Sequence, residues 1–234
     1  YGVEQSLNII AVKTITQITP QLGFQYCQNF GFTTLVDRRV EPNGQITSDI
    51  TQALSLGGLT DGVENYELNA AYAAIANGGV YKEPIFYTKI VDHDGNVLID
   101  KVANQDTHRV LKETSAFLMT DAMRDVVTKG TGTMVNFGSQ TIVGKTGTTS
   151  DNYDVWFAGY TPYYTCTTWV GYDNNVTMTQ DEKNVVKQIW KLVMQEVHSD
   201  LERREFNMPG GITTCTVCST SGMLPVPGLC DEHL

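Results

Sequence analysis

At 234 residues and 41% hydrophobic composition, the chain is long enough to bury the core of one large domain, and its pattern fits one domain plus a tail. Lys and Arg total 16 against 26 Asp and Glu, a formal charge of −10 with no basic cluster, which excludes a polyanion such as nucleic acid as partner. No run approaches the ~20 apolar residues of a membrane span, and Tyr1-Gly2-Val3-Glu4 is neither an initiator methionine nor a signal peptide, so the chain reads as excised from something longer.

After Ser6-Leu7-Asn8, the apolar positions Ile9, Ile10, Val12, Ile15 and Ile18 follow helical spacing up to Thr19-Pro20. Thr19 and Pro20 then read as the N-cap and first residue of a second helix, Gln21 to Phe30, closed by Gly31. Residues 32 to 58 show little periodicity and read as connecting structure. Asn65 is placed to cap a helix with inner face Leu68, Ala71, Tyr72 and Ile75, ended by Asn77-Gly78-Gly79. Ile85 to Val91 and Asn96 to Lys101 read as a hairpin around Asp92-His93-Asp94-Gly95, with His93 an ordinary turn residue.

Leu111 to Val127 is a helix whose apolar positions are Leu111, Leu118, Met119, Ala122, Met123 and Val126. Thr141 to Gly147, Val155 to Tyr160 and Thr165 to Tyr172 are rich in β-branched and aromatic residues and predict an antiparallel meander. Asn184 to Val197 returns to helix with Val185, Ile189, Leu192 and Val193 on one side. Met208-Pro209-Gly210-Gly211 then opens a tail, giving a partial domain over 1–207 and a Cys-containing tail over 208–234. Helices, a meander and a closing helix make an α+β layered domain with an antiparallel sheet.

The chemistry concentrates at Gly144-Lys145-Thr146-Gly147-Thr148. A phosphate-binding P-loop would need a glycine at position 139, where Ser139 stands, and a helix afterwards, where a strand is predicted. As a strand lining a cleft, the segment offers a cation, hydroxyl donors and open amides, a set suited to an extended peptide ending in a carboxylate. Strict alternation sends Lys145 and Gly147 to one face and Thr146 and Thr148 to the other, unless a twist or bulge re-aims them. An ordinary strand with an exposed lysine is the alternative.

Read whole, the stretch from Gly144 through Trp156-Phe157-Ala158-Gly159-Tyr160-Thr161-Pro162 to Trp169-Val170-Gly171-Tyr172-Asp173 resembles the Lys-Thr-Gly-Thr region of class A penicillin-binding proteins. So do Ser55 to Val63 and Glu67 to Gly79, and Ser6-Leu7-Asn8 is similar to that family's Ser-x-Asn motif. The resemblance implies the penicilloyl-serine transferase, or β-lactamase-like, fold and a peptidoglycan D,D-transpeptidase that cross-links stem peptides by serine acyl transfer and binds β-lactams. It also implies an extracytoplasmic domain, with a glycosyltransferase domain and a membrane anchor elsewhere in the protein, and no cofactor. The family's nucleophile lies in a Ser-x-x-Lys motif upstream of Ser-x-Asn. No serine in this chain is followed three positions later by lysine. A fragment lacking its N-terminal part and inactive alone is therefore expected; a D,D-carboxypeptidase or β-lactamase-type hydrolase and a non-catalytic peptidoglycan-binding module are the alternatives.

By the same resemblance, Ser6 relays a proton to the leaving nitrogen, Asn8 hydrogen-bonds the substrate carbonyl, and Lys145 orients Ser6 and attracts the terminal carboxylate. Thr146 and Thr148 bind that carboxylate, Gly147 leaves room for the substrate backbone, and the Thr148 amide is one oxyanion donor. Taken alone, without the other motifs, Ser6 and Asn8 read first as caps of the helix that follows. Tyr153, Trp156 and Trp169 are either cleft lining or core, with core favoured for aromatic residues in strands.

Cys27 and Cys166 read as small buried hydrophobes. In the tail, Cys215, Cys218, Cys230 and His233 have a structural zinc spacing. Against it, the family's tails carry a Cys…Ser-Gly…Cys pattern matched by Cys218, Ser221-Gly222 and Cys230, which favours a Cys218–Cys230 disulfide over zinc in an oxidising compartment.

Overall fold

The structure, a computed structural model, describes residues 1–138, 140–218 and 221–227. Helix α1 spans Asn8–Ile18 and α2 spans Pro20–Asn29. Thr19 caps α2 as expected, its hydroxyl accepting from the Leu22 amide, and the chain leaves the helix through Gly31 at φ +89°. Ile15 and Phe24 are the buried members of this pair.

The connecting region holds more order than its lack of periodicity implies. Two short strands, β1 (Arg39–Val40) and β2 (Ile46–Thr47), pair antiparallel, and a 3-10 turn covers Gln52–Leu56. The organiser is one buried carboxylate, Asp49, which accepts from the Val36 amide at 2.8 Å and from the Thr60 amide and hydroxyl at 2.8 and 2.6 Å. Burial pulls its pKa up, yet the hydrogen bonds from Thr60 and Val36 prevail and hold the carboxyl below its ordinary range.

Helix α3 covers Asn65–Ala76, and its N-cap is Glu64 rather than Asn65, without a side-chain capping bond. Its buried face is Glu67, Ala70, Ala71 and Ala74, one step away from the expected stripe. Small residues there let α3 lie close to its neighbours, while Glu67 is satisfied by the Thr33 hydroxyl at 2.5 Å. Strand β3 (Val80–Lys82) follows, then the expected hairpin, β4 (Lys89–Val91) with β5 (Val97–Asp100), whose residues are largely exposed. Strand β6 (Thr107–Arg109) returns to pair with β3. Helix α4 runs Glu113–Thr128; it buries Ala116, Thr120, Met123, Val126 and Val127, and leaves Leu118 and Met119 in solvent.

The predicted meander is present as β7 (Val143–Thr148), β8 (Asp154–Tyr160) and β9 (Thr165–Gly171), antiparallel in that spatial order. Helix α5, Gln180–Val197, covers one face and starts four residues earlier than the apolar pattern indicates, at a capping box made by Thr179 and Glu182. Helices α3 and α4 cover the other face. Between sheet and α5 lie Val155, Phe157, Val186, Trp190 and Met194, with the Trp190 and Phe157 rings edge to face at 5.0 Å. On the opposite face Met123, Val143 and Tyr160 pack together, and the Tyr160 hydroxyl bonds Thr120 at 2.7 Å. This is a three-layer α/β/α arrangement in which the antiparallel sheet is the middle layer, the α+β fold expected.

The α5 face is a correction. Val186, Trp190 and Met194 are the buried residues, whereas Val185, Ile189, Leu192 and Val193 are exposed. Beyond α5 the segment folds back: Phe206 stacks edge-on against Tyr160 at 5.5 Å, and Gln140 donates to the Leu201 and Glu202 carbonyls. Cys27 and Cys166 are half-buried, and burial raises both thiol pKa values. Cys215 is exposed and Cys218 buried; Cys230 and His233, on which the disulfide and zinc readings turn, lie outside the described residues. Among the described residues no helix is long and apolar enough to cross a membrane.

Candidate active site

The first five residues form a single helical turn, Gln5 N–H bonding to the Tyr1 carbonyl at 2.9 Å. It ends in a Schellman arrangement: Leu7 N–H donates to the Gly2 carbonyl at 2.9 Å, and Ser6 N–H to the Val3 carbonyl at 3.2 Å. The residue at the left-handed position of that motif is Ser6, at φ +55°, where glycine is the usual occupant. Holding a serine there costs about 1–3 kcal/mol and fixes the direction of its Cα–Cβ bond. Leu7 is the N-cap of α1 and makes no side-chain capping bond, so neither Ser6 nor Asn8 plays the capping role.

The Lys145 ammonium donates to the Ser6 hydroxyl at 2.7 Å and to the Thr146 carbonyl at 3.0 Å. Lys145 is half-buried and burial pushes its pKa down, since desolvation disfavours the charged form. None of the ion pairs among the described residues includes Lys145. Its position depends on close packing one residue earlier: a Cβ at Gly144 would meet the Phe157 ring at 2.6 Å and the Ala158 carbonyl at 2.7 Å.

Ser6, Asn8, Lys145, Thr146, Gly147 and Thr148 all line one open groove of about 810 Å³. The β7–β8 register is unbroken, so no bulge brings both faces of β7 to the groove; as the edge strand of its sheet, β7 opens its free side to it. At Gly147 the tight neighbour of an added Cβ is Trp156 Cβ at 3.3 Å, so the glycine also serves the fit of β7 against β8. The groove's floor is apolar, with Ile10, Ile15 and Val155 from α1 and β8. Among the described residues its charged lining is Lys145, Lys183 and Lys187, with no Asp or Glu, inside a chain of net charge −10. Such a surface attracts an anionic group and leaves its partner cation uncompensated until one arrives.

For several lining residues nothing in the sequence pointed to the groove. Thr131, Ser55, Leu56 and Ile10 reach the groove because of how α1 and the segment after α4 are placed, which no local pattern encodes. Trp156 lines the groove, and Trp169, 6.2 Å from it, is exposed with its indole N–H on Asp154 at 2.9 Å. The two tryptophans are thus not core, contrary to expectation; the buried indole of the fold is Trp190.

Residues 1–195 match the family model described as the penicillin binding protein transpeptidase domain. Among curated relatives, penicillin-binding protein 1A of Clostridium botulinum strain Langeland is 35% identical over 222 residues, covering 94% of this chain and 26% of the relative. Penicillin-binding protein 1A/1B of Bacillus subtilis is 29% identical over 237 residues, covering 93% of this chain and 24% of the relative. The chain therefore spans about a quarter of the length of the curated relatives it matches. Among solved structures, penicillin-binding protein 1A from Haemophilus influenzae superposes with a TM-score of 0.78 at 24% identity, over 97% of this chain and 38% of that one. PonA1 from Mycobacterium tuberculosis, in complex with penicillin V, gives a TM-score of 0.62 at 25% identity over 79% of this chain and 50% of that one. With the model match extending from the Ser6 turn through β7 and most of α5, the chain belongs to the penicillin-binding protein transpeptidase domain family.

Proposed function

We propose that this chain supplies two walls of a peptidoglycan D,D-transpeptidase site, the Ser6–Asn8 wall and the Lys145–Thr148 wall, while the nucleophilic serine comes from a Ser-x-x-Lys segment outside these 234 residues. The observation that carries this reading is the Lys145–Ser6 hydrogen bond of 2.7 Å, formed across 139 positions inside a groove lined, among the described residues, by cations but no carboxylate. The terminal carboxylate of the donor stem peptide sits against Lys145 and the Thr146 and Thr148 hydroxyls. Asn8 holds the adjacent peptide carbonyl.

The serine oxygen attacks the penultimate D-alanine carbonyl, and the developing oxyanion takes hydrogen bonds from the Thr148 amide and the serine's own amide. The serine proton passes through the neighbouring lysine and Ser6 to the departing nitrogen, so that D-alanine leaves as a neutral amine. An amine from a second stem peptide then attacks the acyl-enzyme and restores the serine. Lys145 keeps the Ser6 oxygen directed along that route.

The partners are peptidoglycan stem peptides, and β-lactams as acylating mimics. The working location is the extracytoplasmic face of the membrane, with anchor and glycosyltransferase outside the chain. We also take 1–207 as the domain and 208–234 as a tail, supported by the return of Phe206 onto Tyr160.

Fluorescent penicillin tests the reading. The 234-residue chain alone remains unlabelled, and the longer protein carrying a Ser-x-x-Lys segment is labelled on that serine. A labelled band at the mass of this chain would overturn the assignment. Analysis of the peptide products separates cross-linking from hydrolysis.

A further inference from the structure

Thr131 stands in the turn after α4, and its hydroxyl lies 2.8 Å from the hydroxyl of Thr146. Both residues line the groove. The turn is pinned on two sides. Gly132 N–H donates to the Val126 carbonyl at 2.8 Å, and a Cβ at Gly130 would meet the Glu4 carbonyl at 2.4 Å, so the turn sits directly against the segment that ends in Ser6. A residue held this firmly is placed to act on its neighbour.

Two hydroxyls at this separation share one hydrogen, and only one of them donates. If Thr146 gives its hydrogen to Thr131, its oxygen faces the groove only as an acceptor and repels a carboxylate. If Thr131 donates, the Thr146 hydrogen is free to turn into the groove. We propose that Thr131 is a positioning residue for anion binding: it donates to the Thr146 oxygen, fixes that rotamer, and leaves the Thr146 hydrogen available to the substrate carboxylate. This deepens the transpeptidase reading and rests on it for the identity of the anion.

The test is a titration of the chain, followed by NMR, with N-acetyl-D-alanyl-D-alanine and with its C-terminal amide. The unaltered protein prefers the free carboxylate. Thr131→Val reduces that preference about 3–10-fold, the usual weight of one neutral hydrogen bond, while affinity for the amide is unchanged. Thr131→Ser keeps the preference. Thr131→Ala gives the same readout as valine if the valine variant does not fold. In a double-mutant cycle with Thr146→Val, the second substitution adds little further loss. The proposal is overturned by an undiminished preference in Thr131→Val, by an equal loss in Thr131→Ser, or by additive effects in the cycle. No carboxylate preference in the unaltered protein would remove the underlying site reading, and this proposal with it.

Discussion

Lys145 and Ser6 meet at 2.7 Å although the serine is held at φ +55°, a backbone region that side chains other than glycine seldom occupy. The strain and the hydrogen bond have the same origin, the Schellman turn of residues 2–7 that aims the Ser6 hydroxyl at β7. Ser6→Gly and Ser6→Ala lose the same hydroxyl, but only alanine retains a Cβ in the left-handed position. The glycine variant should therefore be more stable than the alanine variant by about 1 kcal/mol in urea unfolding. Equal stabilities would show that Ser6 is not strained in solution.

Burial lowers the Lys145 pKa, and its ammonium is the cation closest to Ser6 in the groove. Lowering a lysine pKa moves loss of its charge to lower pH. Binding of N-acetyl-D-alanyl-D-alanine should weaken as pH rises, with a midpoint below the ordinary lysine value of about 10.4. Lys145→Gln should remove that alkaline limb and reduce affinity about tenfold or more, because a hydrogen bond to a charged group contributes about 1.5–3 kcal/mol. An unchanged pH profile in the variant would assign carboxylate binding to Lys183 or Lys187 instead.

Glu182 is held at about 2, chiefly by the Tyr172 hydroxyl at 2.5 Å and then by the Thr179 amide and hydroxyl, both at 2.7 Å. Its folded pKa lies below the unfolded value of about 4.3, so its stabilisation is complete above that value and is lost as pH falls toward 2. Denaturant midpoints of the unaltered protein and of Glu182→Gln should differ most at neutral pH and converge between pH 4.3 and 2. A difference that stays constant over that interval would mean the capping carboxylate does not titrate with folding.

The meander and both early helices were legible because their patterns are local. Alternation marks β7 to β9, and Thr19-Pro20 marks a helix start by its chemistry. The region 32–58 was not legible, since its order comes from Asp49 gathering Val36 and Thr60, a contact with no period. Ser6, Asn8 and Lys145 were legible as motif residues; that they share a groove is a property of the assembled layers. Thr131 was invisible, because a threonine in a polar turn resembles any other until the strand carrying Thr146 is set beside it.

Helix α5 shows why period alone cannot choose a face, and it yields a direct contrast. It carries two apolar stripes at helical spacing, one through Val185, Ile189, Leu192 and Val193 and one through Val186, Trp190 and Met194. The second faces the sheet because Gly159 leaves room there: a Cβ at that position would stand 3.1 Å from Trp190 Cζ2. The Trp190 indole N–H also reaches the Cys166 carbonyl at 2.8 Å, so the ring enters the core with its polar atom satisfied. Leu192 is 69% exposed and Trp190 0%. Replacing Leu192 by glutamate should change stability by less than about 0.5 kcal/mol, whereas Trp190→Ala should cost about 3–5 kcal/mol through the cavity it opens between Phe157 and Phe137. Thermal unfolding of the two variants side by side decides which stripe is the core: a large loss at Leu192 with little at Trp190 would turn the helix over.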